Sequence, residues 1–181
     1  MLPKRIVIAV CLLGVALASS AAPGEMEKLD EKVFGEPTEK EALVYLIRPT
    51  SLGMAIKFWA FADQTFLGLT RGKSYTFALV PEGRHLFWSK AENIATLDME
   101  VLGGRTYYLR QEVRMGGFRA RVRLSKMTEP EAKEALEKCD YTVPTEKGRQ
   151  EAAQIIAEKW DKAKLKESEK ETWEEEKPEE K

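Results

Sequence analysis

The feature that most constrains this chain is a period of two in its apolar residues, sustained from Leu43 to Lys126 and broken at short intervals by turn residues. Such alternation puts one face of a strand in a core and the other elsewhere, and it does not fit a helix. "ALVYLIRP" alternates until Pro49, whose missing N–H ends a ladder. In "AIKFWAFAD", Ile56, Phe58, Ala60 and Ala62 share one face, and Lys57, Trp59, Phe61 and Asp63 the other. "TFLGLT" closes at Arg71-Gly72-Lys73, and "SYTFALV" aligns Tyr75, Phe77 and Leu79. Pro81-Glu82-Gly83 joins a fixed φ to a residue free to take positive φ, so "RHLFWSK" returns antiparallel. Ile94 to Leu102 runs into Gly103-Gly104, and "RTYYLRQEVR" and "FRARVRLSK" flank Met115-Gly116-Gly117, a hairpin signal. About eight short strands so closely punctuated predict a mainly β domain over 43–127, an antiparallel β-sandwich or small barrel.

After Lys126 the pattern changes. Thr128, Pro130 and Glu131 form a helix start, with a capping hydroxyl, an early proline and a glutamate three residues on. The helix is expected to reach Cys139 and to break near Val143-Pro144. A second begins near Glu146, with Ala152, Ile156, Trp160 and Ala163 on one narrow apolar stripe. The C-terminal part thus reads as a helical extension over 128–164 and a disordered charged tail over 165–181. Ahead of the domain, residues 22–42 read as a mostly solvated acidic linker in which Val33 and Phe34 can touch the domain.

The opening residues have the layout of a secretory signal peptide. Lys4 and Arg5 precede 13 uncharged residues, Ile6 to Ala18, and then small residues. The apolar run is too short to span a bilayer, which takes about 20 residues. Cleavage is expected to remove 1–21 and to leave no transmembrane helix in the mature chain. The alternative is an uncleaved anchor. Cys11 follows Val10 and only five residues separate it from Arg5, a poor setting for lipid attachment. Cys139 is then the single thiol of the mature chain, so no internal disulfide forms. The expected location is the periplasm, with secretion or envelope anchoring as alternatives.

Three motifs stand out in order: Tyr45 to Arg48 in the opening strand, Val80 to His85 at the central turn, and Gly104 to Tyr108 in a late strand. Together they resemble a family of small exported or lipid-anchored bacterial proteins catalogued as domain of unknown function 2846. The resemblance covers roughly residues 42–127. It implies a β-sandwich akin to transthyretin-like modules, and brings neither an established activity nor catalytic residues. The chain departs from lipoprotein members of the family in lacking a credible lipid-attachment cysteine.

Charge is unevenly distributed. The whole chain carries −1, yet residues 43–127 hold thirteen basic and six acidic groups, between acidic segments over 22–42 and 128–181. His85 is the single histidine, so a histidine metal cluster is excluded and no cofactor or metal is expected. No Gly-x-Ser-x-Gly elbow is present, and His85 is expected to bridge neighbouring loops by hydrogen bonds. Asp63, Glu82, Glu92, Asp98, Glu100 and Glu112 include no pair in an apolar setting that would raise a pKa. Arg119, Arg121 and Arg123 alternate with Ala120, Val122 and Leu124, and Arg110 and Arg114 are expected on the same face across the hairpin. That face is either a solvated outer surface guarding an edge strand or a docking surface for an anion. The expected function is a non-enzymatic exported module, binding an acidic envelope protein, an anionic lipid or glycan surface, or its own acidic tail. Export and negative net charge disfavour nucleic acid. The alternatives are an envelope hydrolase acting on glycans and a membrane-tethered accessory lipoprotein.

Overall fold

The computed structural model describes residues 24–116 and 119–175. The expected signal peptide over 1–21, Cys11 within it and the last residues, 176–181, lie outside the described residues. Among the described residues the elements are β1 (Met26–Lys28), β2 (Glu41–Arg48), β3 (Phe58–Ala62), β4 (Thr65–Thr70), β5 (Ser74–Pro81), β6 (Gly83–Lys90), β7 (Ile94–Val101), β8 (Thr106–Gly116), β9 (Arg119–Lys126), α1 (Glu129–Glu137), β10 (Asp140–Pro144) and α2 (Glu146–Glu175). The eight alternating runs are β2 to β9.

They form two sheets, ordered β1-β10-β5-β2-β8-β9 and β4-β3-β6-β7. The architecture is a mixed, mostly antiparallel β core with two helices. The wholly antiparallel expectation is corrected at two ladders, because β2 pairs β8 in parallel and β10 pairs β5 in parallel. The chain between β2 and β8 builds the four-stranded sheet and part of the other, so β8 re-enters beside β2 from the same end. Two strands exceed the expected eight. β1 is only three residues, and β10, "DYTVP", lies where a helix break was expected. β1 is a strand because β10 is there, since Met26, Glu27 and Lys28 pair with Pro144, Val143 and Thr142, and β10 is held on its other side by β5. Within the stretch read as a linker, Met26–Lys28 therefore joins the sheet as β1, and Glu41 and Ala42 already belong to β2.

Strand alternation sorts the apolar residues into three layers of core. Between the sheets lie Val44, Leu46, Phe58, Ala60, Phe87, Met99, Leu109, Val122 and Leu124. On the outer side of the six-stranded sheet, Tyr45, Ile47, Tyr75 and Tyr141 are covered by Ala132, Ala135 and Leu136 of α1. On the outer side of the four-stranded sheet, Trp59, Phe61, Leu69 and Trp88 are covered by Ala152, Ile156, Trp160 and Ala163 of α2. Burying one such side chain fully stabilises by about 1.5–3 kcal/mol, so the helices are integral to the fold.

α1 starts as its sequence predicts, with the Glu131 carboxylate accepting from Thr128 N at 2.9 Å and Thr128 Oγ1 at 2.8 Å. In α2, Thr145 Oγ1 accepts from Gly148 N at 3.2 Å and the helix continues to Glu175. The expected disorder from 165 onward is therefore corrected for residues 165–175. The cause is tertiary. Lys166 Nζ donates to Ile94 O, and Lys170 Nζ donates to Thr96 O at 2.6 Å. Those carbonyls belong to β7, an edge strand, so helix side chains blunt that edge. The β9 edge is held by the Asn93 amide, which accepts from Val122 N at 2.7 Å and donates to Val122 O at 3.0 Å.

Candidate anion-binding surface

The arginine face is built by the β8–β9 register. Arg110 stands opposite Ser125, Glu112 opposite Arg123, Arg114 opposite Arg121, and Gly116 opposite Arg119. Val122 and Leu124 turn into the core between the sheets, so Arg121 and Arg123 point to the outer side of the six-stranded sheet and are exposed. Arg110, Glu112 and Arg114 share that side. The side chain of Arg119 lies outside the described residues.

α1 covers this side only as far as Arg110, whose Nη2 lies 3.8 Å from Glu131 Oε1. Beyond it the arginines are the surface. Arg114 Nη2 donates to Glu112 Oε2 at 3.2 Å, although Glu112 faces Arg123 in the register. Four described guanidinium groups thus meet two nearby carboxylates, and the Arg110 Nε is buried with no partner among the described residues. An anion that reaches this face would meet cations already in place.

Beside the face runs a hollow of about 380 Å³, walled by Pro49, Thr50 and Leu52 on one side and by Arg110 to Arg114 on the other. Its shape depends on Arg48, which is fully buried at the end of β2. The Arg48 guanidinium donates to Ile56 O at 2.6 Å, Leu52 O at 2.8 Å and Gly53 O at 2.6 Å, and lies 4.0 Å from the centre of the Phe58 ring. Burial lowers its pKa to about 10, still cationic at neutral pH. Charged hydrogen bonds contribute roughly 1.5–3 kcal/mol each, and three of them offset a desolvation penalty of several kcal/mol. The consequence is a β2–β3 loop curled on Arg48 and drawn away from β8.

The other motif residues hold the fold. Tyr45 and Tyr108 stack at 5.4 Å, and Tyr45 Oη accepts from Gly35 N at 3.1 Å. His85 Nδ1 lies 2.7 Å from Asp63 Oδ2 and Nε2 lies 2.9 Å from Pro81 O, so the imidazole bridges the β3–β4 and β5–β6 turns. Asp63 also accepts from Leu86 N at 3.0 Å, and Asp98 accepts from Arg84 Nε at 2.6 Å. No group of three metal-ligating side chains occurs among the described residues. A second hollow, about 420 Å³, lies between Phe34, the stacked tyrosines and Leu136.

Pro49, Thr50 and Leu52 were not among the site residues expected from sequence. Pro49 signalled the end of a strand, but which neighbour it leaves uncovered depends on the β2–β8 pairing, and no local pattern encodes that pairing.

A Haemophilus influenzae protein described as uncharacterized is 26% identical to this chain over 146 residues, covering 77% of this chain and 87% of that protein. No family model matches the chain, and no solved structure matches it.

Proposed function

We propose that this chain is a non-enzymatic binding module of the bacterial envelope, exported to the periplasm, that docks an acidic protein partner through the outer face of the β8–β9 ribbon. The observation that carries the reading is the array Arg110, Arg114, Arg121 and Arg123 on one face, the last three beyond the reach of α1, with Glu112 and Glu131 as the nearby carboxylates among the described residues. Rim cations of this kind steer association and confer salt sensitivity more than raw affinity. The layout of residues 1–21 and the resemblance to the exported family support the location. That resemblance also leads us to infer a kinship with transthyretin-like sandwiches.

The test is capture from an envelope extract at low and high salt, with the wild-type chain and with Arg121→Ser/Arg123→Ser. The wild type is expected to retain a protein that high salt elutes, and the double variant to lose at least about tenfold of it. Equal capture by both chains would overturn the reading. So would arginine-dependent binding to phosphatidylglycerol vesicles with no protein retained, since that would make a lipid surface the ligand.

A further inference from the structure

We infer that a hollow at the start of β8 binds a free alkanoate, a carboxylate on a single unbranched chain, with its head between Arg105 and Lys126. The site is separate from the outer arginine face and does not depend on the docking function proposed for it. It begins with a mismatch in strand length. The β8–β9 ladder runs from Gly116 opposite Arg119 to Leu109 opposite Lys126, where β9 ends. β8 starts earlier, at Thr106. Met127 N donates to Tyr108 O at 2.8 Å, and the chain then turns into α1. Among the described residues no strand lies beside Thr106 on that side. A hollow of about 440 Å³ occupies the gap, within the roughly 300–1,000 Å³ of small-molecule sites.

Alternation decides what faces it. Val122 and Leu124 point between the sheets, and Lys126 follows on the same side. Leu109 and Tyr107 also point there, and Arg105 continues that alternation just ahead of the strand. Met99 of β7 meets the hollow from the other sheet, and Met127 borders it where β9 has ended. Leu102 N donates to Tyr107 Oη at 3.0 Å, which holds that ring toward the β7–β8 turn. Leu109 is fully buried, so a ligand lies against Tyr107 and the two methionines rather than entering the core. The mouth carries the Arg105 guanidinium and the Lys126 ammonium. Both residues are exposed, and neither has a carboxylate partner among the described residues. The carboxylate on the wall, Glu129, is paired with Lys133 at 2.7 Å.

The chemistry selects the ligand. A small inorganic anion would use the cations and leave the apolar wall in water, and an uncharged hydrocarbon would do the reverse. A carboxylate that ends an alkyl chain uses both, and its two oxygens match the forked donors of Arg105. The unbranched thioethers of Met99 and Met127 adjust to such a chain. One chain, rather than the two of a phospholipid, suits a hollow of this size.

The probe is decanoate below its micelle-forming concentration, titrated into the chain labelled with carbon-13 at its methionine methyls and read by NMR. The signals of Met99 and Met127, assigned through Met99→Leu and Met127→Leu, are expected to shift saturably, while those of Met26 and Met54 stay in place. Hexanoate, shorter by four methylenes, is expected to bind at least about tenfold more weakly. Arg105→Ser/Lys126→Ser, at two exposed positions, is expected to weaken decanoate binding about tenfold and to bring it level with decanol. Absence of a saturable shift would overturn the site. So would equal affinity of the wild type for decanol and decanoate, or of variant and wild type for decanoate. Shifts that appear only with phosphatidylglycerol vesicles would also overturn it, since a lipid surface would then be the ligand. The double variant is expected to keep salt-sensitive capture of an envelope protein through Arg121 and Arg123, so failure of that capture in the wild type would count against the docking function alone.

Discussion

Glu25 collects three cations from three parts of the chain. Lys57 at the start of β3 lies 3.0 Å away, Lys147 in the first turn of α2 at 3.1 Å and Arg71 in the β4–β5 turn at 3.6 Å. The hydrogen bond from Lys57, a backbone hydrogen bond and the one from Lys147 lower its pKa from 4.5 to about 2. A depressed carboxylate adds stability that is fully present above its ordinary pKa and lost as pH falls through the folded value. Glu25→Gln is therefore expected to lower the melting temperature at neutral pH. The gap between variant and wild type should close as pH falls from about 4.5 toward 2. A constant gap over that window would show that the carboxylate charge is not what stabilises. Glu25 looked like one solvated acid among seven in residues 22–42, because its partners are near in space and far in sequence.

At the scale of elements, α2 has two jobs along its length. Its first half supplies the apolar stripe that covers Trp59 and Trp88. Its second half supplies Lys166 and Lys170 to the β7 edge. Deleting 165–181 should leave the first job intact and undo the second. The expected outcome is a melting temperature within a few degrees of wild type but increased self-association by light scattering, as β7 offers its edge to other chains. A truncated chain as monodisperse as wild type would refute this capping role. The stripe was legible from its 3.6-residue period, whereas the lysine caps were not. Charged residues in a row look alike whether they point at water or at a strand edge, and that ambiguity made 165–175 read as tail.

At the scale of the whole molecule, the described residues form four layers, α1, six strands, four strands and α2. Cys139 reports on their closure, since it sits between the end of α1 and the start of β10 and its Sγ lies 3.7 Å from Arg48 O. Burial raises its pKa to about 11, which keeps it a thiol at neutral pH. With residues 1–21 removed, the native protein is expected to resist a thiol-specific dye and to react fully in denaturant. Rapid labelling without denaturant would mean that α1 and β10 open independently of the sheets. The expected β core was recognisable because alternation is a local property of each run. The covering of both outer faces was less so. Trp59, Phe61 and Tyr45 alternate in the same way whether a helix or water lies beyond them.

By itself the sequence determined the strands from Glu41 to Lys126, the β8–β9 hairpin, the cap that starts α1 and the common face of Arg110, Arg114, Arg121 and Arg123. All of these follow from spacing within a few residues, through side-chain alternation and turn conformation. The hairpin expected across Pro81-Glu82-Gly83 is corrected, because β5 pairs with β2 in one sheet and β6 with β3 and β7 in the other. The tertiary structure alone decided that β2 meets β8 in parallel, that β1 and β10 exist, and that Glu25 and Lys170 have partners. It also decided that β8 outruns its neighbour at Pro49. Each of those is a contact between segments distant along the chain, where the free energy depends on what the rest of the fold brings alongside.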